Sequence, residues 1–139
     1  MFWSRNKKLA VAVTCSDWRL HQRVVDFNTK IGNAVGCARV DMVVLPGPDG
    51  LILPKRVGEW QAVQGQVDLL AKAHHAEALA VVAHQRCAGH DVSDAQHEID
   101  VAEAAKALKA ALSFAKHVYA IVAVYRSDSD WTLKAIARY

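Results

Sequence analysis

The chain has 139 residues, of which 53% are hydrophobic and 22% are charged, and its formal net charge is +3. This length suits one domain over residues 1–139, and the apolar fraction is enough for a core that covers both faces of a sheet. The lysines and arginines are scattered along the chain, so the charge pattern gives no support for nucleic-acid binding.

The first apolar stretch of the chain, Leu9–Thr14, is too short for a secretory or membrane segment. A signal peptide needs a longer apolar region, and a membrane span needs about 20 residues. We therefore expect a cytoplasmic protein that does not bind membranes. In a reducing compartment, Cys15, Cys37 and Cys87 are better interpreted as thiols or metal ligands than as disulfide partners.

In the first half of the chain, apolar runs alternate with polar and turn-forming stretches. Leu9–Thr14 is rich in valine and alanine, which predicts a buried strand. The spacing of apolar residues over Asp17–Lys30 predicts a helix. Met42–Leu45 follows as a short strand, and the prolines and glycines of Pro46–Gly50 force a loop. Leu51–Leu53 is expected to form another short extended piece.

The second half of the chain continues this alternation. Over Glu59–His74 apolar residues recur every three or four positions, as on one face of a helix. Leu79–Ala83 is a second valine-rich and alanine-rich run and predicts a buried strand. Ser93 and Gln96 match a capping box for a helix that runs to about Lys116.

The last predicted elements are a strand and a helix. Val118–Tyr125 is the most strand-like segment of the chain, and Asp128 or Ser129 is expected to cap a final short helix to Arg138. Strands and helices thus alternate throughout. Alternation of this kind predicts an α/β fold with a mostly parallel sheet of about four strands between helices.

Three metal-capable side chains directly follow two of the predicted strands. Cys15 comes after Leu9–Thr14, while His84 and Cys87 come after Leu79–Ala83. If these strands are parallel neighbours, all three residues leave the sheet at its carboxyl edge, where open α/β sheets bind their ligands. Zinc binds two cysteines and a histidine well, and with three protein ligands it keeps a fourth position for water, as in catalytic sites.

A metal site is not the only interpretation of these residues. The pair formed by His84 and Cys87 is a weak signal in a chain with seven histidines and three cysteines. The alternative is a loop histidine next to a buried cysteine that packs as a small hydrophobic residue. From the chemistry alone, both interpretations stay open.

Two motifs of the chain resemble those of a known family. Cys15-Ser-Asp-Trp-Arg19 resembles the Cys-x-Asp-x-Arg motif of β-class carbonic anhydrases, and His84-Gln-Arg-Cys-Ala-Gly89 is similar to their His-x-x-Cys-Gly motif. The order of elements from about Leu9 to Gly89 also fits that family, as do the long helix and the strand up to Tyr125. The resemblance implies a three-layer fold like that of β-carbonic anhydrases.

The resemblance also implies roles for individual residues. Cys15, His84 and Cys87 would be the ligands of zinc, which would be the cofactor. Asp17 and Arg19 would be the family's catalytic pair, in which the carboxylate either accepts a hydrogen bond from zinc-bound hydroxide or takes the fourth zinc position itself. An arginine can hold a carboxylate in bidentate geometry and so keep it off the metal. A surface ion pair near a strand end is the alternative.

The implied activity is that of a zinc-dependent lyase that interconverts carbon dioxide and bicarbonate. Zinc would lower the pKa of its bound water, and the resulting hydroxide would attack the carbon of the substrate. Hydrolysis of carbonyl sulfide or carbon disulfide is a near variant, because the same hydroxide would serve in a more apolar pocket that includes Trp18. A different hypothesis is a non-catalytic zinc-binding scaffold in which Asp17 permanently closes the metal site.

Three features depart from the family pattern. Leu45–Gly50 stands where family members usually have Arg-Asn-Ala-Gly, Trp18 replaces a small residue, and Ala88 separates Cys87 from Gly89. We therefore expect a substrate pocket that differs from that of the family. The resemblance further implies a homodimer or a higher homo-oligomer, because the family places its sites at subunit contacts.

Other metal-capable or titratable residues have plainer interpretations. Cys37 matches no ligand of the family and is expected to be a buried thiol. His90 and Asp91 closely follow the metal pair, and a plain loop role is favoured for them. The alternative is that they relay protons or orient a ligand.

Overall fold

Five strands form one sheet in the computed structural model, which describes residues 8–26 and 37–139. The strands are β1 (Lys8–Thr14), β2 (Cys37–Val44), β3 (Ala76–His84), β4 (His117–Ser127) and β5 (Asp130–Arg138). Their order across the sheet is β2-β1-β3-β4-β5, with the first four parallel and β5 antiparallel to β4. The predicted α/β class and mostly parallel sheet are confirmed, with five strands in place of about four.

The described helices are α1 (residues 21–26), α2 (Val57–His74) and α3 (Asp94–Ala111). Of the first predicted helix, the structure describes a single 3-10 turn at Trp18–Leu20 and the α-helical residues 21–26, which we call α1. Residues 27–30 lie outside the described residues. The predicted cap of α3 is confirmed, because the Ser93 hydroxyl accepts a hydrogen bond from the Gln96 amide, although α3 ends well before Lys116. No described helix is both long and apolar enough to cross a membrane.

Both faces of the central strands are buried under helices. Along β1, Val11 and Val13 point to the apolar cluster that α2 and α3 cover, while Ala10 and Ala12 point to the opposite cluster. All four side chains are at most 2% exposed. The opposite cluster also contains Leu20 and Val24, which come from the first helical region. Burial on both faces explains why β1 reads as a continuous apolar run rather than as an alternating one.

The C-terminal segment forms a strand in place of the predicted helix. The helix predicted to begin at Asp128 or Ser129 is instead β5, which pairs with the free edge of β4. Trp131 and Leu133 pack against one face of the sheet, two residues apart as in any strand. Ile136 lies on the other face, as alternation along the strand places it, and a register shift beside it brings Ala137 to that face as well. The helix prediction rested on Asp128 or Ser129 as its cap, whereas both residues lie in the turn between β4 and β5.

The segment after β2 also differs from its prediction. Leu51–Leu53 is not extended, because it forms the turn between two short 3-10 helices, Pro48–Gly50 and Pro54–Arg56. Both begin with proline, whose fixed φ suits the first position of a helical turn. The Leu51 side chain is buried in the cluster under α2 and α3. This anchor holds the chain close to the carboxyl edge of the sheet.

Candidate metal centre

Cys15, His84 and Cys87 meet at the carboxyl edge of the sheet. Cys15 directly follows β1, His84 is the last residue of β3, and Cys87 lies in the turn after β3. Because β1 and β3 are parallel neighbours, their carboxyl ends lie side by side. The two sulfur atoms are 3.9 Å apart, and each lies within 4.8 Å of a ring nitrogen of His84. All three residues are buried.

The hydrogen bonding of His84 leaves one ring nitrogen free to bind a metal. Nδ1 lies 2.7 Å from the carbonyl oxygen of Gln85, and since a carbonyl only accepts, Nδ1 carries the proton. Nε2 is therefore an acceptor. It is buried and has no hydrogen-bond partner among the described residues. A buried polar atom without a partner is costly, and a metal ion would satisfy it. Two thiols and one imidazole nitrogen are a donor set that fits zinc.

The two sulfurs share one proton, so the pair favours a single negative charge. A hydrogen bond from Cys87, supported by His84 and by the backbone amides of Gly47 and Asp17, holds the pKa of Cys15 well below its usual range. The pKa of Cys87 is raised, because it lies beside the Cys15 sulfur and is buried. Burial lowers the pKa of His84, but the interaction with Cys15 outweighs it and raises the pKa. A buried site that concentrates negative charge in this way attracts a cation.

The turn between His84 and Cys87 is held by contacts to β4. Arg86 has a φ of 56°, which is uncommon for a residue with a side chain. Its guanidinium carbon lies 3.7 Å from the centre of the Tyr125 ring. The Gln85 side-chain oxygen accepts a hydrogen bond from the Tyr125 amide at 2.9 Å. These contacts fix the path of the chain from one metal-capable residue to the next.

The loop after β2 packs closely against the turn that carries Cys87. Gly47 has a φ of 54°, and a Cβ atom there would lie 2.6 Å from the carbonyl carbon of Gly89. A Cβ atom at Gly89 would in turn lie 2.7 Å from Pro46. Both glycines are therefore needed for this close approach. Arg56 fastens the loop, donating hydrogen bonds of 2.7 Å to the carbonyl oxygens of Pro46 and Gly47.

Asp17 and Arg19 form a bidentate ion pair beside the buried triad. Arg19 Nε lies 3.0 Å from Asp17 Oδ1, and Arg19 Nη2 lies 2.7 Å from Asp17 Oδ2. The Arg19 backbone amide also donates to Asp17 Oδ1, because Asp17 caps the 3-10 turn that follows it. These contacts with Arg19 hold the pKa of Asp17 below its usual range. Asp17 is therefore an ionised acceptor whose two oxygens both face an arginine.

The β4–β5 hairpin supplies two residues that the sequence analysis missed. Asp128, in the turn of the hairpin, accepts a hydrogen bond of 2.8 Å from Arg19 Nη1. The Trp131 ring lies under the Arg19 guanidinium, with 5.1 Å between its centre and the guanidinium carbon. The same ring meets His84 edge to face at 5.5 Å. Because the segment after β4 was predicted as a helix, the sequence analysis gave no reason to connect these residues with Arg19.

Comparison with known families identifies the chain. A family model described as "Putative carbonic anhydrase" matches residues 5–137. The chain belongs to this carbonic anhydrase family. The match spans both cysteine-containing motifs and the β4–β5 hairpin. In a comparison with curated proteins, no protein matched the chain.

In this carbonic anhydrase family member, a cleft of about 660 Å³ lies beside the candidate metal centre. Asp17 and Arg19 line it together with Cys15 and His84. Its other lining residues are Ser16, Trp18, Pro46, Ala88, Gly89 and Asp128. The three departures from the family motifs thus all contribute to its wall, and Trp18 is 78% exposed. The structure places every predicted site residue at or beside this cleft.

Cys37 is the third cysteine of the chain and lies apart from the other two. It is the first residue of β2, whereas Cys15 follows the last residue of β1. Since β1 and β2 are parallel, Cys37 stands at the amino edge of the sheet and Cys15 at the carboxyl edge. The length of a strand separates the two cysteines, so Cys37 lies outside the group that could hold a metal.

Proposed function

We propose that this protein catalyses the reversible hydration of carbon dioxide to bicarbonate, with zinc held by Cys15, His84 and Cys87. One observation carries the proposal: an unpartnered imidazole nitrogen and two buried sulfurs converge beside a carboxylate that an arginine holds. Membership of the carbonic anhydrase family supports the same chemistry. The cleft in front of these residues gives a small substrate access to them.

Zinc in this site would act as a Lewis acid that lowers the pKa of bound water towards neutrality and so makes hydroxide available to carbon dioxide. Thiolate ligands donate more negative charge than imidazoles and weaken this effect. A hydrogen-bond acceptor that orients the nucleophile therefore contributes more here than in a site of three histidines.

Asp17 is the residue proposed to orient the nucleophile. Its pKa is lowered by Arg19, so it is ionised at working pH and accepts hydrogen bonds without taking up a proton. Arg19 determines where the carboxylate points, because two of its nitrogens bind the two oxygens. The proposed roles are therefore a hydrogen-bond acceptor for Asp17 and a positioning residue for Arg19.

A stopped-flow assay of carbon dioxide hydration tests the proposal. The zinc-loaded wild type should accelerate hydration between about pH 6.5 and pH 9, where the pKa of zinc-coordinated water is expected. His84→Ala should lose both zinc and activity. Cys37→Ser is the matched control and should keep both. A wild type with about one zinc per chain and no hydration above the buffer rate would contradict the proposal.

Hydrolysis of carbonyl sulfide or carbon disulfide is a second candidate. It is favoured by the apolar side chains of Trp18, Pro46 and Ala88 in the wall of the cleft. These substrates are less polar than bicarbonate, and a more apolar wall would suit them. Release of hydrogen sulfide by the zinc-loaded protein, without hydration of carbon dioxide, would favour this candidate.

The non-catalytic scaffold finds less support in the geometry. It requires the Asp17 carboxylate to close the metal site permanently, whereas both oxygens of Asp17 are engaged by Arg19. The two alternatives differ in one property. In a scaffold closed by Asp17, an Asp17→Asn variant should retain zinc less well, whereas in the proposed enzyme it should retain zinc and lose activity.

A further inference from the structure

A second group of metal-capable side chains lies between the loop after β2, the turn after β3 and α3. Asp49 comes from the 3-10 turn Pro48–Gly50, His90 from the segment after Cys87, and Asp100 from α3. One ligand atom of each lies within 4.8 Å of those of the other two. The group contains no cysteine, so its chemistry differs from that of the first site.

Both carboxylates of this group are already oriented by neighbouring donors. Asp100 accepts a hydrogen bond of 2.7 Å from the Gln96 side-chain amide on one oxygen, and its other oxygen lies 2.6 Å from His90 Nε2. Asp49 Oδ2 lies 2.7 Å from His97 Nδ1 and 4.0 Å from His90 Nε2. Outer partners of this kind are what typically orients carboxylate ligands around a metal.

Within the described ranges, the buried Asp49 carboxylate of this group is incompletely partnered. In the described part of the chain, the ion pairs of Asp49 and Asp100 involve histidines alone. The Asp49 residue is 1% exposed, and its Oδ1 atom is buried without a hydrogen-bond partner among the described residues. A buried carboxylate oxygen without a partner is costly. A cation between the two carboxylates would compensate both the charge and the unpartnered oxygen.

The backbone of the loop after β2 leaves room for the His90 imidazole. A Cβ atom at Gly50 would lie 2.6 Å from His90 Nδ1, so this glycine lets the imidazole approach. The His90 and His97 rings meet edge to face at 5.7 Å. Both α3 and the loop that carries Asp49 therefore pack against the His90 ring, and such packing reduces the ordering that an ion must impose when it binds.

We propose that Asp49, His90 and Asp100 form a second metal site that binds a divalent cation such as Mn²⁺. Two carboxylate oxygens and one imidazole nitrogen suit Mn²⁺, whereas thiolates select softer ions such as zinc. His90 binds the ion through Nε2 as a neutral imidazole, so the proton that Nε2 shares with Asp100 gives way to the metal while Nδ1 carries the one ring proton. A proton is released to solvent only where both ring nitrogens were protonated before binding. His97 and Gln96 stay as the outer partners of the two carboxylates.

A manganese titration of the 139-residue protein, loaded with one equivalent of zinc, tests this site. Free Mn²⁺ is followed by its electron paramagnetic resonance signal, which is lost on binding. The wild type should bind about one Mn²⁺ per chain. Asp100→Asn and His90→Gln should each weaken binding by at least about tenfold. Asp94→Asn is the matched control, because it makes the same change at an exposed position of the same helix and should bind as the wild type does.

The outcomes separate this site from the thiolate site. Cys87→Ser should lose zinc and keep Mn²⁺, whichever reaction the zinc site performs. Absence of Mn²⁺ binding by the wild type at millimolar concentration would overturn the proposal, as would equal binding by Asp100→Asn or loss of Mn²⁺ in Cys87→Ser. Thermal melting followed by circular dichroism checks that each variant folds. Asp49→Asn replaces any variant that does not fold.

Discussion

The parallel strands and the antiparallel hairpin contribute different things to the candidate metal centre. β1 and β3, with the turns that follow them, supply the two sulfurs, the imidazole and the Asp17–Arg19 pair. The β4–β5 hairpin supplies no residue of the proposed ligand set. Through Asp128 and Trp131 it surrounds the Arg19 guanidinium, and Trp131 also packs against the His84 ring.

This division of roles has an energetic consequence. A change in the donor set should abolish metal binding, because two of the three donors hold zinc far less tightly than all three. A change in the hairpin should leave the donors in place and affect stability or the orientation of Arg19. The two regions can therefore be distinguished by comparing zinc content, stability and activity in the same variants.

The largest effect is expected at the donor set. Cys87→Ser or His84→Ala should lose zinc, because each change removes one of the three donors that converge at the carboxyl edge. Elemental analysis of the purified variants measures this directly. Cys37→Ser should keep its zinc, and a variant of His84 or Cys87 with full zinc would remove that residue from the ligand set.

The next largest effect is expected at Trp131 and concerns stability. Trp131 is 3% exposed and packs in the cluster that includes Cys15 and Cys87. Trp131→Ala should therefore lower the free energy of unfolding by about 3–5 kcal/mol, while zinc is retained under folding conditions. Trp131→Phe keeps an aromatic ring and should cost less. Denaturant unfolding curves test both variants, and an unchanged midpoint for Trp131→Ala would contradict the assigned packing.

The Asp17→Asn variant tests the proposed role of Asp17 in hydration. Hydration per zinc should fall by about 10- to 1,000-fold, because the substitution replaces an ionised acceptor by a neutral amide. Zinc content should not change, since Asp17 lies outside the proposed ligand set. Because Arg19 lowers the pKa of Asp17, protonation of this carboxyl should not limit activity near neutral pH. Equal hydration rates for Asp17→Asn and wild type would refute the proposed acceptor role.

The smallest effect is expected at Asp128. Its side chain is 74% exposed, and exposed ion pairs contribute about 0–1 kcal/mol. Asp128→Asn should therefore reduce hydration by no more than about fivefold, because Arg19 keeps its contacts with Asp17 and Trp131. A loss as large as that of Asp17→Asn would mean that the hairpin does more than support Arg19.

The sequence predicted the metal-capable residues of the site, but it did not predict the residues that hold Arg19 in place. Cys15 and His84 each follow a buried strand, and a parallel sheet necessarily brings such positions to one edge. Trp131 gave no comparable signal, because Asp128 and Ser129 match helix caps and the segment after them was therefore predicted as a helix. Contacts with Arg19 across the hairpin depend on which strand β5 pairs with. That pairing is decided by the free edge of β4 and is not encoded in local spacing.

The packing of the loop after β2 could not be predicted from the sequence. Pro46–Gly50 was predicted as a loop, but its fit against Gly89 depends on two glycines that approach each other from distant parts of the chain. Arg56, which fastens this loop, lies beyond the predicted loop, and it contacts the loop through backbone carbonyls. A hydrogen bond from a side chain to a distant backbone carbonyl requires no particular residue type at the carbonyl. The sequence therefore gives no sign of it.

The hydration rate per zinc of Arg19→Ala, measured against that of the wild type, tests the central claim most directly. In the proposed enzyme, Arg19 keeps the Asp17 carboxylate off the metal. Removing the guanidinium should free that carboxylate to take the fourth zinc position, so hydration should be lost while about one zinc per chain is retained. Wild-type hydration by zinc-loaded Arg19→Ala would contradict the claim that this ion pair keeps the metal site open.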